Sequence, residues 1–269
     1  MKKPVLRLTV LAVFLPLLTP AAAYAGAWTQ PQGEGQVINT FSYYEVNVQG
    51  FNALGKPSGH GEYTQLEYSP YVEYGLTNRW TVGFQPRLQY VTQSGLPGTG
   101  HTLGLVQMNL FARYEVYRDD SNALSMQGQV GIPGAATGIN PELAQPNAEY
   151  EGRVLYGHDF RLPNGWPAFL DVEAGYRLET DGNANQVRGD GTLGVYPSSR
   201  WTILVQSFNT VSVSPALPGD FDYNLNRVEI SAVYSLTKRT AIQFGAWRDV
   251  AGKNISLGDA GIVALWYQF

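Results

Sequence analysis

Three histidines and no cysteine bound the chemistry open to this chain of 269 residues. A hydrolytic triad needs a nucleophile hydrogen-bonded to a base that a third group orients. His60, with Glu62 two residues on, offers such a base to Ser58. His101 opens a β-forming stretch after Gly100, and His158 precedes Asp159 near a tight turn, at the opposite end from the other two. No two histidines stand at metal-ligand spacing. The absence of cysteine removes disulfides, thiolate metal sites, cysteine nucleophiles and an acylated N-terminal cysteine. The expectation is no enzyme, no metal site and no cofactor.

Charged residues at alternate positions of long β-forming stretches carry the richer chemistry. Glu67, Glu73, Arg87, Arg113, Glu115, Arg153 and Asp171 fall on one face of their stretches. Glu173, Arg177, Glu179, Arg188, Asp190, Arg227 and Glu229 continue the set. Both signs mix on one surface. Such a surface is either a salt-bridge network that rigidifies and fills an interior or the lining of a hydrated pore whose charges tune what passes.

The elements that hold these charges follow from a repeat. Arginines at 79, 118, 161, 200 and 239, separated by 39, 43, 39 and 39 residues, each mark a tight turn. Between them lie stretches rich in Gly, Pro and Asn at 49–61, 94–100, 132–147, 181–186, 214–222 and 251–256. Six loops and five turns separate twelve strands, expected at 33–48, 62–75, 80–93, 101–117, 123–131, 148–160, 167–180, 187–197, 201–213, 223–236, 240–250 and 257–269. A period near 40 also suits a propeller blade. Two strands per period leave most stretches long enough to cross a membrane as tilted strands, which takes about 9 to 11 residues.

Alternation has the sense of a membrane barrel. At 255–269, Ile255, Leu257, Val263, Leu265, Tyr267 and Phe269 share one face, with Ser256, Gly258, Ala260, Ala264 and Gln268 opposite. At 167–180, Ala168, Leu170, Val172, Ala174, Tyr176 and Leu178 oppose Asp171, Glu173, Arg177 and Glu179. A closed dry interior cannot hold that many ionised groups unless they are hydrated or paired. The apolar face is therefore outward, and no hydrophobic core is expected between the strands. Trp80, Trp166 and Trp201 stand at tight-turn edges, where an interfacial aromatic girdle belongs.

Lys2 and Lys3 precede an apolar run from Val10 to Leu18, and Ala23, Tyr24 and Ala25 then give a small-x-small cleavage pattern. The run is about half the ~20 residues a membrane helix needs. Residues 1–25 are read as a cleavable export signal and 26–269 as one barrel domain. The part after Ala25 carries 15 cations against 22 acids, a formal −7, which disfavours nucleic acid as a partner.

The final residues, Ala264 to Phe269 (ALWYQF), end on an aromatic after alternating apolar positions. This resembles the C-terminal recognition strand of Gram-negative outer-membrane β-barrel proteins, with Tyr267 and Phe269 as its assembly signal. The resemblance implies a cell outer-membrane location, insertion by the barrel-assembly machinery, and contact with outer-membrane lipid and lipopolysaccharide. The segment Ala27 to Ile38 (AWTQPQGEGQVI) is similar to the start of uncharacterised proteobacterial barrels associated with exopolysaccharide and biofilm loci.

The fold expected is all-β, a transmembrane antiparallel up-and-down β-barrel of about 12 strands. The function expected is a narrow passive channel for small or polar solutes. The alternatives are a non-conducting structural or accessory barrel serving envelope architecture, adhesion or a polysaccharide-export complex, and a hydrolase at the rim. Barrels of about eight strands are filled by side chains and those of 16 to 18 leave an aqueous channel, so twelve lies between. The modest loops offer little material for a plug.

Overall fold

A computed structural model of the protein describes residues 26–47, 50–51, 57–58, 61–94, 100–135, 143, 148–180, 182–214 and 222–269. Twelve long strands run β1 (Gly35–Asn47), β2 (Glu62–Thr77), β3 (Trp80–Ser94), β4 (Gly100–Arg118), β5 (Asn122–Pro133) and β6 (Glu149–Arg161). They continue as β7 (Pro167–Glu179), β8 (Gln186–Val195), β9 (Trp201–Ser212), β10 (Asn224–Ser235), β11 (Thr240–Lys253) and β12 (Asp259–Gln268). Each pairs antiparallel with the next, and β1 pairs with β12 from Gln36↔Gln268 to Glu45↔Asp259, closing the barrel. Gly35 and Phe269 exchange backbone bonds of 2.9 and 3.0 Å at the end of that seam. A two-residue ladder of Gly50–Phe51 with Pro57–Ser58 stands apart from the wall.

Closure leaves no sheet edge. Every backbone group of a spanning wall is then satisfied by its neighbours, as a bilayer demands. Each of the twelve stretches expected from sequence coincides with a strand, and the ends move by three residues at most. The largest shift is in β11, which continues to Lys253 before Asn254 turns the chain with φ 56°. The ladder between β10 and β11 shifts register between Asn226 and Arg227, where Val250 of β11 is left without a partner in the pairing.

The two faces separate by chemistry. Leu103 is 71% exposed, Ile230 59%, Phe41 58% and Met126 56%, all on the outside. A band of that kind is stable only against lipid, because each exposed aliphatic or aromatic side chain held in water forgoes about 1.5–3 kcal/mol. Trp80, Trp166 and Trp201 are likewise exposed at the tight-turn end. Trp80 packs on Tyr114 and Trp201 on Tyr234, which braces the girdle across strands.

The interior corrects one expectation. A hydrophobic cluster lies inside the barrel at the tight-turn end, made of Ala27, Trp28, Ala123, Leu155, Phe169, Leu204, Val233, Ala264 and Trp266. Alternation placed Ala264 inward but gave no reason for apolar side chains there. The reason is Trp28, whose indole enters from the segment ahead of β1 and needs an apolar seat.

Candidate functional site

The lumen is built from the inward positions of the wall together with residues 26–34, which turn back into the barrel before β1 begins. Pro31 to Glu34 form a tight turn closed by the Glu34 N–H donating to Pro31 O at 3.1 Å. Gly33 occupies its third position with φ 83°, a conformation that favours glycine. Gly33 N–H then donates to Gly75 O, and Gly75 N–H to Glu34 O, each at 2.9 Å, pinning the turn to the end of β2. Ahead of it, Ala27, Trp28, Thr29 and Gln30 are all buried within the barrel mouth.

Wall side chains receive this segment atom by atom. The Ala27 N–H donates to Asp171 Oδ2 at 2.7 Å, and the Ser125 hydroxyl donates to Ala27 O. Arg113 donates to Trp28 O at 3.2 Å. Thr29 donates its N–H and hydroxyl to Glu115 Oε2 at 3.4 and 3.1 Å. Gln30 donates its N–H to Thr81 Oγ1 at 2.8 Å and its side-chain amide to Glu73 Oε1 at 2.6 Å. The Trp28 ring meets Phe169 edge-on at 6.2 Å. It also lies over Gly157, where an added Cβ would stand 2.4 Å from the indole.

Glu73 anchors this end. It is 1% exposed, takes a second amide from Gln36 at 2.6 Å and the Tyr71 hydroxyl at 2.8 Å, and lies 3.5 Å from Arg113. Glu115 also meets Arg118 at 3.4 Å. In the turn outside the wall, Asp119 accepts N–H bonds from Ser121 and Asn122 at 2.9 and 2.8 Å and the Tyr117 hydroxyl at 2.8 Å. Those donors, the Ser121 amide foremost, hold its carboxyl well below the usual carboxylate range.

Midway along the lumen, Arg153 lies 2.6 Å from both Glu173 and Asp190 and also pairs with Glu151. Glu151 binds Arg177 at 2.9 Å and Arg188 at 3.1 Å, and Arg177 reaches Glu149 at 2.9 Å. Arg177 also stands 3.9 Å from Glu179. Three arginines and their carboxylates thus form one connected web on β6, β7 and β8. Removing one member of such a buried web strands its partners, which costs more than the intact web contributes.

Toward the loop end, Arg87 pairs with Glu67 at 2.9 Å. Across the lumen Arg227 pairs with Asp249 at 2.7 Å and lies 3.4 Å over the Trp247 ring, which stacks on Tyr44 at 4.8 Å. Glu229 is buried beside the Ser231 hydroxyl.

Ion pairs thus join most of the charged positions singled out in the sequence; among the described residues Asp171 and Glu229 stand outside them. Reading by alternation missed Glu149, Glu151 and Asp249, although each stands at an even spacing from a chosen arginine or, for Asp249, from inward Trp247. It missed entirely the seating of residues 26–31 inside the wall, hereafter the plug, because residues 26–34 have no period to read. A signal was present in Trp28, an aromatic isolated between the cleavage pattern and the first strand.

The two described histidines, His101 and His158, do not gather. His60 lies outside the described residues. Glu62 takes the Ser94 hydroxyl at 3.3 Å. His101 is exposed beside Tyr90, and His158 bonds Asn122 Oδ1 at 2.9 Å and stacks on Phe160. Among the described residues no three His, Cys, Asp or Glu side chains form a group able to hold a metal ion.

No family model matches the chain, and no curated protein matches it at a significant level. Solved structures do. The COG4313 outer membrane channel from Pseudomonas putida F1 superposes with a TM-score of 0.72 at 15% identity, over 90% of this chain and 98% of that one. The NanC porin gives 0.54 at 10% identity, over 86% and 98%. The β domain of the Bordetella autotransporter BrkA gives 0.54 at 16% identity, over 88% and 99%. At these identities the likeness is one of fold, and the class it defines is the closed twelve-stranded antiparallel barrel of the transmembrane type.

Proposed function

We propose that this protein is exported by cleavage of residues 1–25, inserted into the outer membrane of a Gram-negative cell by the barrel-assembly machinery, and works there as a narrow passive channel for small or polar solutes. Its outer face would meet outer-membrane lipid and lipopolysaccharide. The observation that carries this reading is the lumen itself. Ionised side chains of both signs line it from Arg87 and Arg227 at the loop end to Arg113 at the turn end, and a hydrated path is what such a lining serves. Two similar structures, an outer membrane channel and a porin, support it. Residues 26–31 cross the turn-end mouth and make the channel narrow there.

A second reading has its own support. Arg153 is paired on three sides, with Glu151, Glu173 and Asp190, which suits a non-conducting accessory barrel in envelope architecture or polysaccharide export. Planar-bilayer recording separates the two. The refolded chain is expected to give discrete steps whose reversal potential in a salt gradient shifts with Arg227→Ala. Silence from a fully folded barrel, in both the parent and that variant, contradicts the channel.

A further inference from the structure

Asp171 is 3% exposed, yet among the described residues no arginine or lysine nitrogen comes within ion-pair range of it. Its neighbours hold the nearby cations, Glu73 facing Arg113 at 3.5 Å and Glu173 facing Arg153 at 2.6 Å. Its own partner is the Ala27 N–H at 2.7 Å, and Glu173 stands two residues on along the same face of β7. A second relation is closer still. An ideal Cβ at Gly26 would stand 2.0, 2.1 and 2.2 Å from Oδ2, Cγ and Oδ1 of Asp171, so the carboxylate lies against the Gly26 backbone. A buried acid beside another acid is unfavourable without a counter-charge, and the group pressed against this one belongs to Gly26.

The small-x-small pattern of Ala23, Tyr24 and Ala25 ends at that residue. We propose that export processing supplies the counter-charge: hydrolysis of the Ala25–Gly26 amide creates an α-ammonium that pairs with Asp171 and locks residues 26–31 in place. The step consumes one water and a signal peptidase performs it. The acyl half leaves as the Ala25 carboxylate, and the Gly26 amine takes up a proton, its ordinary pKa being about 8. The uncleaved chain carries a neutral amide at the same place, so the lock forms only after processing. Glycine is required at the new terminus because any side chain would collide with Asp171. The proposal rests on the export reading above and is independent of whether the barrel conducts.

The test begins with the intact mass of protein purified from outer membranes, which is expected to start at Gly26; any other start overturns the proposal. The N-terminal amine is then labelled with 2-pyridinecarboxaldehyde at neutral pH. The folded parent is expected to react at least ten-fold more slowly than the same chain heat-unfolded in detergent, and Asp171→Asn to abolish most of that protection. Asparagine keeps the size and the acceptor for Ala27 N–H, so unchanged protection in a heat-modifiable Asp171→Asn barrel means simple burial and overturns the ion pair. If that variant does not fold, the parent refolded with an acetylated Gly26 replaces it. Hydrogen exchange at Ala27 and Trp28 is then expected to rise at least ten-fold, and unchanged exchange overturns the proposal.

Discussion

Gln30 and Glu73 meet through a 2.6 Å hydrogen bond, the Gln30 amide donating to a wall carboxylate that is only 1% exposed. The same carboxylate faces Arg113, which in turn donates to Trp28 O. Plug and wall therefore share one polar network, with Glu73 and Arg113 satisfied from both sides. Undocking the segment takes the Gln30 amide from Glu73 and the Trp28 carbonyl from Arg113, at about 1–3 kcal/mol for each group left unsatisfied unless water replaces it. Opening the mouth and wetting it are one event.

Arg113→Ala removes the cation from this network and strands Glu73. The expected loss is about 3–5 kcal/mol, typical of breaking a buried pair, together with a larger or more frequent conductance. Thermal unfolding followed by heat modifiability on gels reads the first, and bilayer recording the second. An unchanged unfolding temperature contradicts the role given to the pair.

Gly157→Ala puts a methyl where the Trp28 indole lies, 2.4 Å from the ring. Conductance and proteolysis of the N-terminal segment are both expected to increase. Adding Trp28→Ala vacates the space, so the double variant is expected to behave as Trp28→Ala alone. Additive effects of the two changes would show that the residues act separately.

Deleting Phe269 removes the backbone exchange with Gly35 and the stack on Tyr74 at 6.5 Å. The seam between β1 and β12 loses its end, and the C-terminal aromatic that resembles an assembly signal goes with it. No heat-modifiable barrel is expected in outer membranes from cells expressing the deletion. Normal amounts of folded barrel would contradict the assignment.

The Asp119 turn has a pH dependence of stated sign. Its carboxyl is depressed in the folded chain, first by the Ser121 amide and then by the Tyr117 hydroxyl and Asn122. A depressed acid stabilises the fold fully above its unfolded value of about 3.9. That contribution fades as pH falls below this value toward the folded one. A carboxyl carbon titration by NMR is expected to give a midpoint below the ordinary 3.8. Asp119→Asn is expected to remove the acid-side loss of turn protection, and an ordinary midpoint contradicts both.

The wall was legible because its rules are periodic. Alternation fixed which side of β7 holds Asp171 and Glu173, and the evenly spaced arginines at 79, 118, 161, 200 and 239 marked the short turns. The plug was not legible, since it owes its place to contacts with residues far away in sequence, such as Ala27 with Asp171 and Thr29 with Glu115. Nor was the apolar seat of Trp28, because Phe169 and Leu155 are inward residues whose reason is a partner outside their own strands. Short-range patterns describe a surface; they say little about what is folded against it.

The most direct test compares single-channel conductance of the parent barrel with that of a chain lacking residues 26–31, both refolded and shown to be heat-modifiable. The account predicts small or infrequent steps from the parent and larger, long-lived steps once the segment is gone. Equal conductance from both, or silence from both, would contradict a channel whose narrow point is its own N-terminal segment.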